Sequence, residues 1–417
     1  MDKERKIKDY ELFNPYNLDW GEEISFPSSR SVTEYGNRIY NRYPARSIFL
    51  VPRAILSTKH DQGLNILDPF MGSGTTAVET VISGNIPYGL EMDPFARMVA
   101  EVSSYVFSSQ EILEMEHTAD LIKKQWKTFD SLPTPNLLGI ERWFKTGDLE
   151  KLLQLKKTIL TISPKKYTNF FLVAFADCIK PVSLMERQSL KPYISTKFPK
   201  ITKDVESSFV YSFDAHLTAL KEMSEKGTSQ RSIVWLGDDA TDFSLDYPNI
   251  DIAITSPPYI NALDYTRCIK IESALCGTID DDMANGLRKK QVGHERRKNQ
   301  QIEDIVCDLF EPYYKSISPF DQARALTCRA YFNDMYKNIE CVYNSLKKGG
   351  EYHIIVGDNT IKDTYVPTHD LIRQLSIQIG FECFGYYKYA IKDHRTSIPR
   401  NSEKSKIDFE HVIMLRK

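Results

Sequence analysis

The feature that most constrains this chain is an apolar run that ends on an acid and turns on glycines. Asn65-Ile66-Leu67-Asp68 is followed by Pro69-Phe70-Met71-Gly72-Ser73-Gly74 and then by Thr75-Thr76-Ala77-Val78-Glu79-Thr80-Val81-Ile82. The first piece reads as a buried strand, the second as a turn, and the third as a helix that Gly84 stops. Tyr88-Gly89-Leu90-Glu91 reads as the next strand, and Asp93-Pro94 opens another helix from Phe95. Strand, turn, helix, strand is how an open, doubly wound α/β sheet begins.

Further strands are expected at Ile233–Leu236, Ile252–Ile254, Tyr352–Val356 and His411–Leu415, with helices at Tyr331–Leu346 and Thr368–Ile379. Gly349-Gly350 reads as a helix stop before a strand. Between about 105 and 230 the pattern changes, and Leu149, Leu152, Leu153, Ile159 and Leu160 approximate helical spacing. Three regions are therefore expected. They are 1–104, an N-terminal segment with the ligand-binding half of the sheet; 105–230, a largely helical insertion; and 231–417, the other half with a basic loop at about 277–327. The 417 residues allow two or three domains.

Composition excludes several classes. Hydrophobic residues make up 41%, enough to offset chain entropy, so disorder over most of the chain is excluded. No apolar run reaches the ~18 residues of a membrane span, and the start, MDKERKIKDY, is too charged for a signal peptide. A cytoplasmic protein with no membrane partner is expected. The seven cysteines include no two spaced two or three apart, so neither a disulfide framework nor a zinc knuckle is expected, and no metal ligands are assigned. None of the seven follows a proline.

Gly72 to Ala77 reads G-x-G-x-x-A. Glycine lets backbone approach a ligand closely, and such turns are where open α/β sheets bind ligands. A nucleoside triphosphate needs a lysine after the second glycine, and none is there. A dinucleotide fits, with Glu91 near the offset of a ribose-binding acid. S-adenosylmethionine (SAM) fits the same acid and has no pyrophosphate to cradle. Its sulfonium and ammonium favour carboxylates at a strand end, which Asp68 and Asp93 supply. The plain alternative is a structural turn.

Ile252-Ala253-Ile254 leads into Thr255-Ser256-Pro257-Pro258-Tyr259. Two prolines end a strand and cannot donate backbone hydrogen bonds. Acceptors remain: the Ser256 hydroxyl and the Pro257 carbonyl, with Tyr259 directly after. The exocyclic amine of a nucleobase is a poor nucleophile, because its lone pair is delocalised into the ring. Two acceptors holding its hydrogens would localise that lone pair, and no strong base is then required. Tyr259 would stack on a base taken out of the duplex. A proline-rich loop is the alternative.

These two motifs resemble the signature pair of SAM-dependent DNA amino-methyltransferases of bacterial restriction–modification systems, which act on N4 of cytosine or N6 of adenine. Tyr43-Pro44-Ala45-Arg46 resembles the family's segment over the methionine part of SAM. Gly237-Asp238-Asp239-Ala240 resembles its strand-end acid, Ile260 to Arg267 the continuation of its catalytic motif, and Val356-Gly357-Asp358-Asn359 a later strand end. The resemblance implies a Rossmann-like class I SAM-dependent methyltransferase sheet, mixed and seven-stranded, with a helical insertion. It implies a cofactor site of Tyr43, Pro44, Asp68, Phe70, Gly72, Ser73, Gly74, Glu91, Asp93, Asp238 and Asp239. Within it Glu91 would take the ribose hydroxyls and Asp238 the adenine end, with Asp239 a rival. Ser256, Pro257, Pro258 and Tyr259 would be catalytic. Serine at the head of that motif is more typical of the N4-cytosine enzymes, so N4 is favoured over N6. Carbon-5 methylation needs a thiolate nucleophile, usually in a Pro-Cys dipeptide, and that dipeptide is missing. The rival readings are an RNA or protein amino-methyltransferase and a non-catalytic DNA-binding subunit. Many relatives place the catalytic motif first; here it follows the glycine motif, and the long insertion between them falls where some classes carry target recognition.

The implied partners are double-stranded DNA and a cognate restriction endonuclease. The chain as a whole is balanced, with 54 Lys+Arg against 56 Asp+Glu. Its bases are nevertheless concentrated: Arg288, Lys289, Lys290, Arg296, Arg297 and Lys298 surround one acid, Glu295. This stretch is the expected phosphate contact. A solvated charged loop is the alternative.

Overall fold

The computed structural model describes residues 5–6, 13–27, 34–40, 42–227, 230–260, 263–294, 301–392 and 408–417. Arg296, Arg297 and Lys298 of the basic stretch, and Asn261 and Ala262 after the catalytic motif, lie outside the described residues.

The strands are β1 (Arg5–Lys6), β2 (Glu22–Ser25), β3 (Asn65–Asp68), β4 (Ile86–Leu90), β5 (Val234–Gly237), β6 (Ile250–Thr255), β7 (Leu346–Gly357), β8 (Asn359–Ile361), β9 (Thr364–Val366), β10 (Glu382–Ala390) and β11 (Phe409–Arg416). One sheet has the order β1-β2-β10-β11-β7-β6-β3-β4-β5, and β8 and β9 form a separate hairpin. Pairing is parallel from β7 through β5, while β11 runs antiparallel to both β7 and β10. The sheet is mixed, as expected, but has nine strands among the described residues rather than seven. The extra two come from the N-terminal segment: β2 adds parallel to β10, and β1 adds to β2. Strand β10 carries a register shift between Cys383 and Gly385, which breaks the alternation that would have marked it in the sequence.

Every residue of β3 is buried, because a central parallel strand is covered on both faces. Its alternate side chains enter different cores. Leu67 joins Ala253 and Ile354 on one face, with residues of helices Asp304–Ile317, Gln322–Ser345 and Thr368–Ile379. Ile66 joins Ile252, Ile254 and Ile355 on the other, with Val51 and Ile55 of helix Leu50–Ser57. That two-residue period is the pleat itself.

Helices Ser109–Gln125, Asp148–Ile162, Thr168–Val182 and Val205–Lys226 make up most of the span between β4 and β5, after helix Pro94–Ser104. Their core is continuous with Phe95 and Val99 of that helix and with Ile269 and Leu275 of helix Tyr265–Cys276. A polar tie adds to it. Asp177 takes Arg42 at 2.5 Å and His216 at 3.3 Å. Burial raises the Asp177 carboxyl, but these two partners outweigh it and hold it well below the usual carboxylate range.

The region expected as a basic loop at 277–327 is largely helical where it is described, at 277–294 and 301–327. It contains helix Asp281–Lys290, capped by Asp280 on the Met283 N–H at 2.8 Å, and helix Asp304–Ile317, which buries Val306, Phe310 and Ile317. The charges masked this apolar spacing. Helix Gln322–Ser345 begins nine residues before the expected Tyr331 and passes directly into β7. Gly349-Gly350 therefore lie inside the strand instead of stopping a helix. All seven cysteines are free. Among the described residues no helix is long and apolar enough to cross a membrane.

Candidate functional site

A cleft of about 1090 Å³, partly open to solvent, lies at the carboxyl ends of β3, β4, β5 and β6. The fold puts the two motifs on its walls through one buried side chain, Asp68. Its Oδ1 accepts from the Phe70 N–H at 3.0 Å and the Thr255 hydroxyl at 2.6 Å, and its Oδ2 accepts from the Thr76 hydroxyl at 2.7 Å. The glycine turn, the helix after it and the end of β6 are thereby fastened to one carboxylate. Burial pushes that carboxyl up to about 6 against the pull of its three donors. Asp68 still lines the cleft, but its oxygens serve the scaffold.

Glu91, just past β4, also lines the cleft. It accepts from the Gly72 N–H and the Asp93 N–H, each at 2.8 Å, which fixes its carboxylate beside the glycine turn. Burial raises it to about 7, although both N–H groups pull the other way. Asp93 caps helix Pro94–Ser104 through Oδ1, which accepts from Phe95 and Ala96. Its Oδ2 is buried and has no hydrogen-bond partner among the described residues. Tyr43 covers the turn so closely that a Cβ on Gly72 would lie 3.4 Å from its ring.

Of the expected cofactor residues, Tyr43, Asp68, Phe70, Gly72, Ser73, Glu91, Asp93, Asp238 and Asp239 line the cleft, and Pro44 and Gly74 do not. Gly74 has a different reason to be glycine. Its φ is +88°, and a Cβ there would stand 2.8 Å from the Ala100 Cα, so it sets how closely two helices approach. Asp239 is engaged locally by the Thr241 N–H and hydroxyl, at 2.9 and 2.7 Å, while Asp238 is exposed on the wall.

Ser256 and Pro258 line the same cleft, and Pro257 is buried behind them. The Tyr259 hydroxyl donates to Glu410 of β11, which also accepts from the Tyr389 hydroxyl. Burial and the Glu410 carboxylate push the Tyr259 phenol well above its ordinary value, so it remains protonated. The basic stretch divides. Arg288 is turned onto Asp264 at 2.6 Å, Lys289 is exposed, and Lys290 lines the cleft. Burial raises Asp264, but His294, the Arg267 N–H and Arg288 together hold it down at about 2.

Two residues that brace the site are absent from the sequence-based expectations. Glu410 stands 151 positions from Tyr259. Arg97 donates to the Glu91 carbonyl at 2.6 Å and to the Gly237 carbonyl, and its guanidinium lies 4.8 Å from the Trp235 ring. It ties the acid ends of β4 and β5 together. Its place one turn into a strand-end helix was the only available hint.

The mixed parallel sheet with one antiparallel strand, and a cleft at its carboxyl ends, define a Rossmann-like class I SAM-dependent methyltransferase fold. By sequence the chain is 23% identical over 415 residues to the type II methyltransferase M.MvaI of Kocuria varians, covering 90% of this chain and 88% of that one. It is 25% identical over 281 residues to the type II methyltransferase M.BsoBI of Geobacillus stearothermophilus, covering 60% of this chain and 54% of that one. The chain thus spans most of one such relative and about half of the other. Among solved structures, a SAM-dependent methyltransferase of Methanosarcina mazei matches at 9% identity and a TM-score of 0.31, over 87% of this chain and 96% of that one. No protein-family model matches the chain. The relatives that the sequence matches are type II methyltransferases, as the two motifs led one to expect.

Replacing Asp68 by alanine leaves two buried hydroxyls and one N–H without their acceptor. Such a loss is expected to cost roughly 3 kcal/mol. Urea unfolding of D68A should show a lowered midpoint at an unchanged slope.

Proposed function

We propose that the chain is a type II DNA amino-methyltransferase acting on the exocyclic amine of a base turned out of the duplex, N4 of cytosine. The observation that carries this reading is the Asp68 junction, which puts the glycine-turn cleft and the Ser256 loop on one cavity. The residues present suit SAM. The buried Asp93 Oδ2 is an acceptor without a partner among the described residues, beside the Glu91 carboxylate. When bound there, SAM supplies the methyl group as an electrophile. Glu91 would hold the ribose hydroxyls, Asp238 the adenine end, and Tyr43, Phe70, Gly72 and Ser73 the remainder of the wall.

Ser256 and the Pro257 carbonyl would grip the two hydrogens of the amine and turn its lone pair toward the donor. The attacking amine loses a proton once it is methylated, so a strong base is not needed. Tyr259 would present its ring to the extruded base, and Glu410 would fix its hydroxyl. Serine at position 256 favours N4 of cytosine over N6 of adenine. Of the basic stretch, Lys289 is exposed and Lys290 lines the cleft, and these two would meet phosphate.

Incubation with methyl-labelled SAM and duplex DNA, followed by digestion to nucleosides, tests the reading. Label is expected in N4-methylcytosine. Label in N6-methyladenine would reassign the base, and label confined to RNA or protein would overturn the substrate class. Two further outcomes are expected. E410Q should leave SAM affinity unchanged while lowering kcat/KM for DNA by roughly ten- to a hundred-fold, since it loosens the tyrosine that places the base. Glu91, raised to about 7, is partly protonated at neutral pH. Hydroxyl donors and a cationic ligand favour its ionised form, so SAM binding should release a proton near pH 7 and weaken as pH falls below it. Calorimetry in two buffers of different ionisation enthalpy measures that release, and E91Q should abolish it.

A further inference from the structure

Outside the cleft, the ends of three elements bring together a second group of side chains. Asp358 follows β7, His369 is the second residue of helix Thr368–Ile379, and His411 is the third residue of β11. One donor atom from each lies within 4.8 Å of the others. The His369 Nδ1 is 2.8 Å from the Asp358 Oδ1, and the His411 Nε2 is 3.4 Å from its Oδ2. The spacing 358, 369, 411 matches no metal motif, and no metal ligands were expected here.

We propose that Asp358, His369 and His411 bind one divalent transition-metal ion of the zinc class. Two imidazole nitrogens and a carboxylate oxygen are the donor set such ions prefer. Ligand atoms at about 2.0–2.1 Å from a tetrahedral zinc stand about 3.3 Å apart, so small side-chain movements close the site without shifting the backbone. The outer partners fit as well. The Tyr386 hydroxyl lies 2.7 Å from the His411 Nδ1, which leaves Nε2 for the metal. The Tyr365 hydroxyl donates to the Asp358 Oδ2. The Tyr386 ring stacks on His369 at 5.3 Å, and the two imidazoles lie parallel at 4.1 Å, so both rings are held in orientation. Outer hydrogen bonds of this kind orient metal-bound histidines.

Three protein ligands leave the fourth tetrahedral position to water, and the place of the site in the fold suits it to hold strand ends together. His411 directly follows Glu410, the acceptor of the Tyr259 hydroxyl. A metal would pin the start of β11 to the end of β7 and to the helix, and so fix the strand that presents Glu410. It takes no part in methyl transfer, and the site stands whether or not the chain methylates DNA.

The full chain, stripped with a chelator and dialysed, would be titrated with Zn²⁺ alone by calorimetry, and its bound metal counted by mass spectrometry. One zinc per chain is expected, with a melting temperature that rises on loading. H369A and D358N should each weaken binding by more than about 100-fold, and Y386F by roughly tenfold, the cost of an outer partner. Circular dichroism would establish that each variant is folded. Failure of the wild-type chain to hold stoichiometric zinc overturns the proposal. So does equal zinc affinity in folded H369A and D358N.

Discussion

One buried carboxylate organises the site. Asp68 accepts hydrogen bonds from a turn amide, from a hydroxyl on the helix that follows, and from a hydroxyl at the end of β6, 187 positions away. A carboxylate withdrawn from water is costly unless its oxygens are satisfied. Only a chain that closes the Thr75–Ile82 helix and the β6 strand end together provides that satisfaction. The glycine turn and the start of the Ser256 loop are both held by it. The rise of this carboxyl to about 6 shows that desolvation exceeds the pull of its donors. That cost is tolerated because it buys the alignment of two loops.

The chemistry proposed for the cleft needs little else. An amine held by two acceptors requires geometry rather than a strong base. The protonated Tyr259 and the capped, hydrogen-bonded acids around the turn fit such an economy. The helical insertion matters to it through packing. Its core is continuous with Ile269 and Leu275 of the helix that follows the Ser256 loop, so the insertion and that helix are packed as one body.

Local features were legible in the sequence. Strand β3, the glycine turn, the Thr75–Ile82 helix and the strand before Thr255 could be read because propensity, glycine and burial pattern agree there. Long-range partners were not. Glu410, Arg97 and the Asp358–His369–His411 group come together only when the sheet closes, and no spacing announces them. Strand β10 was hidden by its bulge, and β2 by a segment that reads as polar until its partner is known. Charge also misled. The region 277–327 reads as a basic loop, yet Asp280, Val306 and Phe310 help make helices within it, and Arg288, expected on phosphate, turns inward to Asp264.

The central claim is that Asp68 joins the two motifs, and a double-mutant cycle measures this most directly. Thr76→Val and Thr255→Val each remove one hydroxyl donor with little change of shape. Unfolding free energies of the two single variants and the double variant give their coupling. If the hydroxyls share one carboxylate, the effects should depart from additivity by about 1 kcal/mol. Additivity within about 0.3–0.5 kcal/mol would contradict the account.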